Sequence, residues 1–152
     1  MQEALKKYAS RPESWESTLQ KGKDFVRAMR KAGVEILPGT DLGVPLLYPG
    51  ASLLDELEIF VDEIGMTPRE ALESATVLPA RWFGMQDELG TVAPGKLADL
   101  VLLDVNPLEN IQNLRRVSGV VANGTYYDHA KLEHLLAQTP KSESGLQRRI
   151  RP

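Results

Sequence analysis

The sequence predicts an α/β fold from three local patterns. A helical apolar repeat that begins after Pro12 and stops at Gly33 is followed by the apolar run 34–37, which is typical of a buried strand. A second helical stretch follows a loop rich in glycine and proline. From residue 86 the pattern changes to short strands and tight turns. Helix, strand, loop and helix in this order form the repeating unit of α/β proteins, in which loops after the strands carry the chemistry.

Capping signals define the helices that follow the loop. Ser52 can cap the first of them, and Asp55 can reinforce that cap. The segment 67–70, Thr-Pro-Arg-Glu, combines an N-cap hydroxyl, a proline at the first helical position and a glutamate three residues after the cap. A further helix is therefore predicted to begin there. Pro79 is expected to kink or restart it, and Gly84 to end it.

Short strands are predicted in the second half of the chain. The segments 89–92 and 100–103 are two of them, and the second is wholly apolar, which predicts burial on both faces. Asn123-Gly124 separates the strands 117–122 and 125–127. That dipeptide is the strongest sequence signal for a two-residue β-hairpin.

The chain is predicted to divide into three parts. Residues 1–85 contain the helices and the first strand, and residues 86–137 contain the later strands and a short helix that Asp128 can cap. Residues 138–152 are polar and lack periodicity, so we expect a disordered tail.

Composition excludes several classes of function. With 152 residues, 42% apolar and 26% charged, the chain can bury a hydrophobic core. Its formal net charge is −3 and the two signs are mixed, so bulk electrostatics favours neither nucleic acid nor a membrane as partner. No apolar run reaches membrane-span length, and no export signal is expected. The absence of cysteine excludes a disulfide framework and thiolate chemistry and fits a reducing compartment, so a cytoplasmic protein is expected.

Four ordered segments carry a family resemblance. They are AGVEILPGTDLG at 32–43, SLLDELEIFVDEIGMTPREALESAT at 52–76, LGTVAPGKLADLVLLDVNPLENI at 89–111 and VVANGTYY at 120–127. In this order and at these spacings they resemble the C-terminal part of the amidohydrolase superfamily, especially members similar to imidazolonepropionase and the dipeptide-hydrolysing Xaa-Pro group. The resemblance covers about residues 22–128.

The resemblance implies the last βα unit or units of a TIM-like metal-dependent hydrolase barrel, followed by C-terminal strands of a small β-sandwich. In such enzymes an aspartate within a Gly-Thr-Asp stretch at the end of the last barrel strand is a metal ligand and helps to activate the metal-bound water. Asp41 occupies that place. The implied reaction is hydrolysis of an amide-type C–N bond in a small molecule, with a divalent metal, expected to be zinc, in the complete enzyme. Tyr48 is a candidate substrate contact, and Lys96, Asp99 and Asp104 are expected to be structural.

Asp41 is also open to a second interpretation, because a carboxylate after a strand is more often a turn or cap residue than a ligand. His129 and His134 lie five residues apart after the hairpin, a spacing that does not stack them on one helix face, and we expect them to be surface residues. One aspartate has too few donor atoms to hold a catalytic metal. The isolated chain is therefore expected to bind no stoichiometric zinc and to hydrolyse nothing, and a complete site to require an N-terminal barrel portion.

Other functions stay open at this point. Exposed strand edges favour self-association, with Leu53, Leu57 and Phe60 as candidate interface residues. A non-catalytic interaction or scaffold module derived from the same fold is the main alternative to an enzyme. A nucleic-acid binder would have to use the basic tail residues Arg148, Arg149 and Arg151, a cluster that lacks interleaved aromatic residues.

Two groups of side chains are given structural roles. Glu56, Glu58 and Glu63 are expected on the solvated flank of the second helix. Trp15, Trp82 and Phe83 lie at helical spacing, which favours the hydrophobic core over a substrate-stacking surface.

Overall fold

The structure is a computed structural model that describes residues 13–41, 43 and 47–138. Within these residues it contains five α-helices, three strands and a short 3-10 helix. The α-helices are α1 Glu13–Lys31, α2 Ala51–Asp62, α3 Pro68–Ala75, α4 Val77–Trp82 and α5 His129–Gln138. The strands are β1 Leu100–Leu103, β2 Val117–Ala122 and β3 Thr125–Asp128, and the 3-10 helix is Ile111–Arg115.

The capping box predicted at residues 67–70 is confirmed. The Glu70 N–H donates to the Thr67 hydroxyl at 3.2 Å, and the Thr67 N–H donates to the Glu70 carboxylate at 2.7 Å. These reciprocal bonds satisfy two N–H groups that the first turn of α3 leaves without helical partners. The predicted restart near Pro79 is also confirmed, because α3 ends at Ala75 and α4 begins at Val77. Pro79 thus lies in the first turn of α4, where its missing N–H costs no helical hydrogen bond.

The start of α2 differs from the prediction. Its N-cap is Gly50, whose φ of 78° lies in the left-handed region, and no side chain caps the helix there. Ser52 is instead the second residue of α2, and Asp55 bonds elsewhere. The predicted cap at Ser52, reinforced by Asp55, is therefore wrong.

The three strands form one antiparallel sheet in the order β1-β2-β3. Asn123 and Gly124 join β2 to β3 with φ values of 48° and 74°. Two consecutive left-handed residues match the right-handed twist of the strands, so the predicted hairpin is confirmed. Asp128 Oδ1 accepts the Lys131 N–H at 2.8 Å, which confirms Asp128 as the cap of the last helix.

The hydrophobic core lies between α2, α3 and the 3-10 helix. Ile111 of the 3-10 helix is 2% exposed and packs with residues of the helical part. The buried members of the core are Leu57, Phe60, Ile64, Met66, Ala71 and Ile111. Segments that are far apart in sequence therefore share one apolar cluster. The division at residue 85 stays a prediction.

Helix α1 contacts this core through Val26 and is joined to the helices beside it by polar contacts. Arg27 Nε donates to the Glu63 carbonyl oxygen at 2.6 Å, which satisfies a carbonyl at the end of α2. Lys23 also pairs with the Glu63 carboxylate, and Arg30 Nη2 lies 2.9 Å from Glu70 Oε1. These contacts hold α1 against the ends of α2 and α3.

Two predicted strands are not formed. Residues 34–37 belong to no helix or strand, and residues 89–91 form bends that residue 92 follows without regular structure. A strand requires a partner for its backbone N–H and C=O groups, and the described residues provide no strand beside 34–37. The prediction that 100–103 is buried on both faces is also wrong, because Val101 of β1 is 60% exposed.

The predicted core aromatics are on the surface. Trp15 is 49% exposed, Trp82 75% and Phe83 73%. All three lie on helices or at a helix end, as their spacing predicts, but no other segment of the described structure covers these side chains. The prediction that they belong to the core is therefore wrong.

Several predictions fall outside the described residues. They concern the opening of α1 at Pro12 and most of the predicted tail, residues 139–152 with Arg148, Arg149 and Arg151. Gln138, the first residue assigned to that tail, is the last residue of α5. None of the helices that the structure describes combines the length and the apolar character needed to cross a membrane.

Candidate functional site

Asp41 lies on the surface, at the end of the segment 34–41, which follows α1 and belongs to no helix or strand. Half-buried Ile36 and Leu37 of that segment turn inward, and Ile36 packs against the core. Asp41 itself is exposed, and its φ of 51° lies in the left-handed region. Aspartate enters this region more readily than most residues other than glycine. The carboxylate therefore stands in an open position at the start of a loop, where a ligand can reach it.

The backbone just before Asp41 is bound to α2. The Gly39 N–H donates a hydrogen bond of 2.9 Å to Glu56 Oε1. Glu56 is half-buried, and its carboxylate is a charged acceptor, which makes this bond stronger than one between neutral groups. The prediction that Glu56 is simply solvated is therefore wrong.

Tyr48, the predicted substrate contact, lies three residues before the start of α2 and is half-buried. Its N–H donates to Ser52 Oγ at 2.8 Å, and the Ser52 N–H donates to the Tyr48 carbonyl oxygen at 3.1 Å. Ser52 is buried at 8% exposure. The backbone N–H groups of Gly39 and Tyr48 are thus both bound by side chains of α2.

Asp55 and Glu58 of α2 and its C-cap residue Glu63 also have partners. Glu58 accepts a bond of 2.7 Å from Arg115 Nε, and Asp55 accepts one of 2.6 Å from Arg115 Nη2. The hydrogen bond to Glu58, followed by that to Asp55, raises the pKa of the Arg115 guanidinium. Glu63 pairs with Lys23. The solvated flank predicted for Glu58 and Glu63 is therefore wrong as well.

The residues that were expected to be structural have structural contacts. Lys96 Nζ donates to the carbonyl oxygens of Gln86 at 2.5 Å and Leu89 at 3.4 Å, which closes the turn before β1. Asp99 Oδ1 accepts the Asn123 N–H at 3.0 Å, so it ties the start of β1 to the hairpin. At the other end of β1 the Asp104 N–H donates to the Arg116 carbonyl oxygen at 2.9 Å.

The two histidines lie on α5, which contacts β2 and β3. Both are exposed, and Gln138 Nε2 lies 3.3 Å from His134 Nδ1. Within residues 13–41, 43 and 47–138, no three His, Cys, Asp or Glu side chains are grouped closely enough to hold a metal ion. A catalytic zinc ion takes three protein ligands and leaves a position for water. The donors of the described residues therefore do not by themselves fit a resident ion, although the Asp41 carboxylate fits one of its ligands.

An apolar groove of about 380 Å³ lies between α1 and α2. Leu19, Val26 and Ile59 are among its walls, and Gly22 leaves one wall without a side chain. Asp41 and Tyr48 do not line it. The groove is thus separate from the loop that holds the candidate site residues.

The comparison with protein families decides which family these features belong to. The model of the family described as the Amidohydrolase family matches residues 6–126, which is most of the chain. The chain belongs to the amidohydrolase family. The matched range includes Asp41, Tyr48, the strands β1 and β2, and the first two residues of β3.

Curated relatives and solved structures agree with this assignment. The chain is 40% identical over 92 residues to an imidazolonepropionase from Maricaulis maris, and the match covers 60% of this chain and 23% of the relative. It is 36% identical over 104 residues to an ochratoxinase from Aspergillus niger, covering 66% of this chain and 21% of that protein. A solved Xaa-Pro dipeptidase with bound methionine in its active site superposes with a TM-score of 0.62 at 36% identity, covering 70% of this chain and 25% of the other. The chain thus spans about a quarter of the length of the relatives it matches.

Some residues that form long-range hydrogen bonds on α2 were not predicted from the sequence. Glu56 and Arg115 are the main ones, because their partners lie 17 and 57 residues away. A signal was available for Glu56, since it lies four residues after Ser52 and therefore on the same side of a helix. Arg115 carried no such local signal.

Proposed function

We propose that this chain supplies the Asp41 carboxylate to the active site of an amidohydrolase that hydrolyses an amide-type C–N bond in a small molecule. One observation carries the proposal. Asp41 is an exposed residue within the family-matched range, and a hydrogen bond from Gly39, two residues before it, attaches its backbone to α2.

The relatives support the class of reaction. A Xaa-Pro dipeptidase and a phenylurea hydrolase, both among the solved structures similar to this chain, are named for substrates with amide or urea C–N bonds. Their structures superpose on this chain with TM-scores of 0.62 and 0.61. We propose a substrate of this chemical kind, contacted by Tyr48, and we place the complete enzyme in the cytoplasm.

Asp41 has two tasks in this proposal. Its carboxylate provides one oxygen donor to a divalent metal ion, and it takes up a proton during hydrolysis. Such an ion, when bound, lowers the pKa of a coordinated water. The other ligands come from outside the described residues, in a larger barrel portion that corresponds to the part of the relatives this chain does not span. We propose zinc as that ion and an N-terminal barrel portion as that partner.

A complementation experiment tests this proposal. The Xaa-Pro dipeptidase, truncated before the quarter that this chain matches, is mixed with the 152-residue chain, and proline release from a Xaa-Pro dipeptide is measured. We expect co-elution of the two polypeptides and restored hydrolysis. Asp41→Asn is expected to co-elute but to lower the restored rate at least about a hundredfold, since that is the usual size of an acid–base contribution.

Asp62→Asn is the matched control, because Asp62 is an exposed carboxylate at the end of α2, and it should restore hydrolysis as the unchanged chain does. Equal restoration by Asp41→Asn would contradict the role of Asp41. Co-elution of the unchanged chain without hydrolysis would contradict the proposed reaction.

A non-catalytic interaction module is the second candidate function. Exposed apolar side chains favour it, with Trp82 75%, Phe83 73% and Val92 84% accessible to solvent. Large exposed apolar patches mark interaction sites. Of the residues predicted for self-association, Leu57 and Phe60 are buried in the core, so they cannot form an exposed interface, whereas Leu53 is 36% exposed. Co-elution without hydrolysis in the same experiment would favour this function.

A further inference from the structure

One side of α2 binds the backbone N–H groups of Gly39 and Tyr48. Ser52 and Glu56 are four residues apart, so their side chains lie one above the other on the same side of the helix. Ser52 Oγ accepts the Tyr48 N–H at 2.8 Å, and Glu56 Oε1 accepts the Gly39 N–H at 2.9 Å. Two side chains one helical turn apart therefore bind the backbone on either side of Asp41.

The backbone of Asp41 explains why such attachments matter. Its φ of 51° is a conformation that costs an L-residue about 1–2 kcal/mol, less for aspartate because its short side chain can hydrogen-bond locally. Such conformations persist where the surrounding structure over-determines them. Gly39 lies two residues before Asp41, so the Glu56 bond acts next to the left-handed turn. Releasing it would let the aspartate return to an ordinary conformation and point its carboxylate elsewhere.

The helix that bears these two acceptors is itself held in place. Asp55 and Glu58, which lie on another side of α2, are bound by the Arg115 guanidinium at 2.6 Å and 2.7 Å. Leu57 and Phe60 bury the inner side of the helix in the core. Helix α2 is therefore a fixed support for the loop.

We infer that Ser52 and Glu56 are positioning residues: Glu56 holds the backbone at Gly39 and so sets the direction of the Asp41 carboxylate, and Ser52 holds Tyr48 at the start of α2. This inference rests on the proposed function of Asp41. As positioning residues, neither of them touches the reacting atoms. Their effect on catalysis is transmitted through the backbone of Gly39 and Tyr48.

Nuclear magnetic resonance of the ¹⁵N-labelled chain tests the attachment. In Glu56→Ala the Gly39 amide should exchange with solvent at least about tenfold faster, because a charge-assisted hydrogen bond has been lost. The Asp41 and Gly43 amides should show a lower heteronuclear NOE, which reports faster motion of the loop. In Ser52→Ala the Tyr48 amide should exchange with solvent faster, and the Asp41 and Gly43 amides should again show a lower heteronuclear NOE.

The conservative variants separate positioning from charge. Glu56→Gln removes the negative charge but keeps an acceptor oxygen, so it should restore most of the loop order that Glu56→Ala loses. Ser52→Thr keeps the hydroxyl and should do the same at Tyr48. Asp62→Asn, at the end of the same helix, should leave the loop unchanged.

The complementation assay then measures the effect on catalysis. Glu56→Ala should lower kcat about tenfold or more with KM nearly unchanged, and Glu56→Gln should recover most of kcat. Unchanged NOE values at Asp41 and Gly43 in both alanine variants would overturn the inference, and so would equal kcat in Glu56→Ala and the unchanged chain. If the unchanged chain restores no hydrolysis, the proposed function fails, while the NOE values still decide whether Ser52 and Glu56 position the loop.

Discussion

Arg115 and Glu58 are 57 residues apart in the chain, and their side chains form a hydrogen bond of 2.7 Å that joins the 3-10 helix to α2. The same guanidinium donates to Asp55 at 2.6 Å. Ile111, on the same 3-10 helix, enters the core beneath α2. A half-buried ion pair and an apolar contact therefore attach the strand region to the helix that supports the candidate site.

Removal of Arg115 should loosen this attachment. Arg115→Ala leaves two carboxylates close together without their cation, so we expect the free energy of unfolding to fall by about 1–2 kcal/mol. This loss is smaller than that of a fully buried ion pair, because the side chain of Arg115 is 27% exposed. Urea denaturation followed by circular dichroism measures the change. Arg116→Ala is the control, because Arg116 is exposed and its carbonyl oxygen is unaffected. Equal effects of the two substitutions would contradict the role given to Arg115.

The capping box of α3 makes a separate contribution to stability. Thr67→Ala removes the acceptor of the Glu70 N–H and the partner of its carboxylate, and should lower the free energy of unfolding by about 1 kcal/mol. Thermal denaturation is a sufficient measurement. The exposed Thr91, in a bend rather than at a helix start, provides a matched Thr→Ala control that should change stability little.

Glu70 makes part of that contribution depend on pH. The Thr67 N–H and hydroxyl, and then Arg30, lower the pKa of the Glu70 carboxyl below its ordinary value of 4.5. Because the folded-state pKa is the lower one, this stabilisation is present above 4.5 and is lost as the pH falls through the folded-state pKa.

Glu70→Gln keeps the capping oxygen but cannot titrate, so stability should vary less between neutral and acidic pH than in the unchanged chain. Denaturant midpoints measured across that range provide the comparison. An equal dependence of stability on pH in both proteins would show that Glu70 does not contribute to that dependence. Glu73→Gln, on the exposed side of α3, is the control.

Features fixed by a few neighbouring residues were predictable from the sequence. The capping box at Thr67 and Glu70 and the hairpin at Asn123-Gly124 each depend on local backbone geometry, and both are confirmed. The Asp128 cap belongs to the same class. Family resemblance predicted the amidohydrolase assignment, which is also confirmed.

Features that depend on distant segments were not predictable. The apolar run 34–37 reads as a strand, yet pairing needs a neighbour that no local pattern specifies. The bonds from Arg115 to Glu58 and from Gly39 to Glu56 join residues whose proximity only the tertiary fold creates. The exposure of Trp82 was not predictable for the same reason. Helical spacing predicts which residues share one side of a helix, but it does not predict which other segment packs against that side.

Two glycines with nearly equal backbone angles separate the effect of conformation from the effect of close packing. Gly90 and Gly95 have φ values of 90° and 88°. A Cβ on Gly90 would lie 2.7 Å from the Ala80 Cβ and 3.1 Å from the Thr76 carbonyl oxygen, whereas one on Gly95 would meet nothing within 4 Å. Gly95→Ala should therefore cost about 1–2 kcal/mol for conformation, and Gly90→Ala at least about 1 kcal/mol more for the clash.

Urea denaturation of both variants under the same conditions gives that difference directly. The clash involves the buried Ala80 Cβ and a backbone oxygen rather than the end of a flexible side chain, so the neighbours have little freedom to relax. Equal losses of stability would show that the segment around Gly90 moves away from α4 at little cost.

The left-handed backbone of Asp41 leads to a prediction that bears on the candidate site. Asparagine tolerates φ of 51° about as well as aspartate, whereas alanine lacks a polar side chain to compensate the strain. Asp41→Asn should therefore keep the free energy of unfolding within about 0.5 kcal/mol of the unchanged chain, and Asp41→Ala should lower it by about 1 kcal/mol.

Asp41→Gly completes the series, because glycine adopts this conformation without a steric cost and should be at least as stable as Asp41→Ala. Chemical denaturation of the three variants gives the order. If Asp41→Asn preserves the fold as expected, any loss of hydrolysis it causes in the complementation assay belongs to the missing carboxylate. A loss of stability in Asp41→Asn as large as that in Asp41→Ala would instead show that the carboxylate supports the fold, which is the turn-residue role that competes with metal binding.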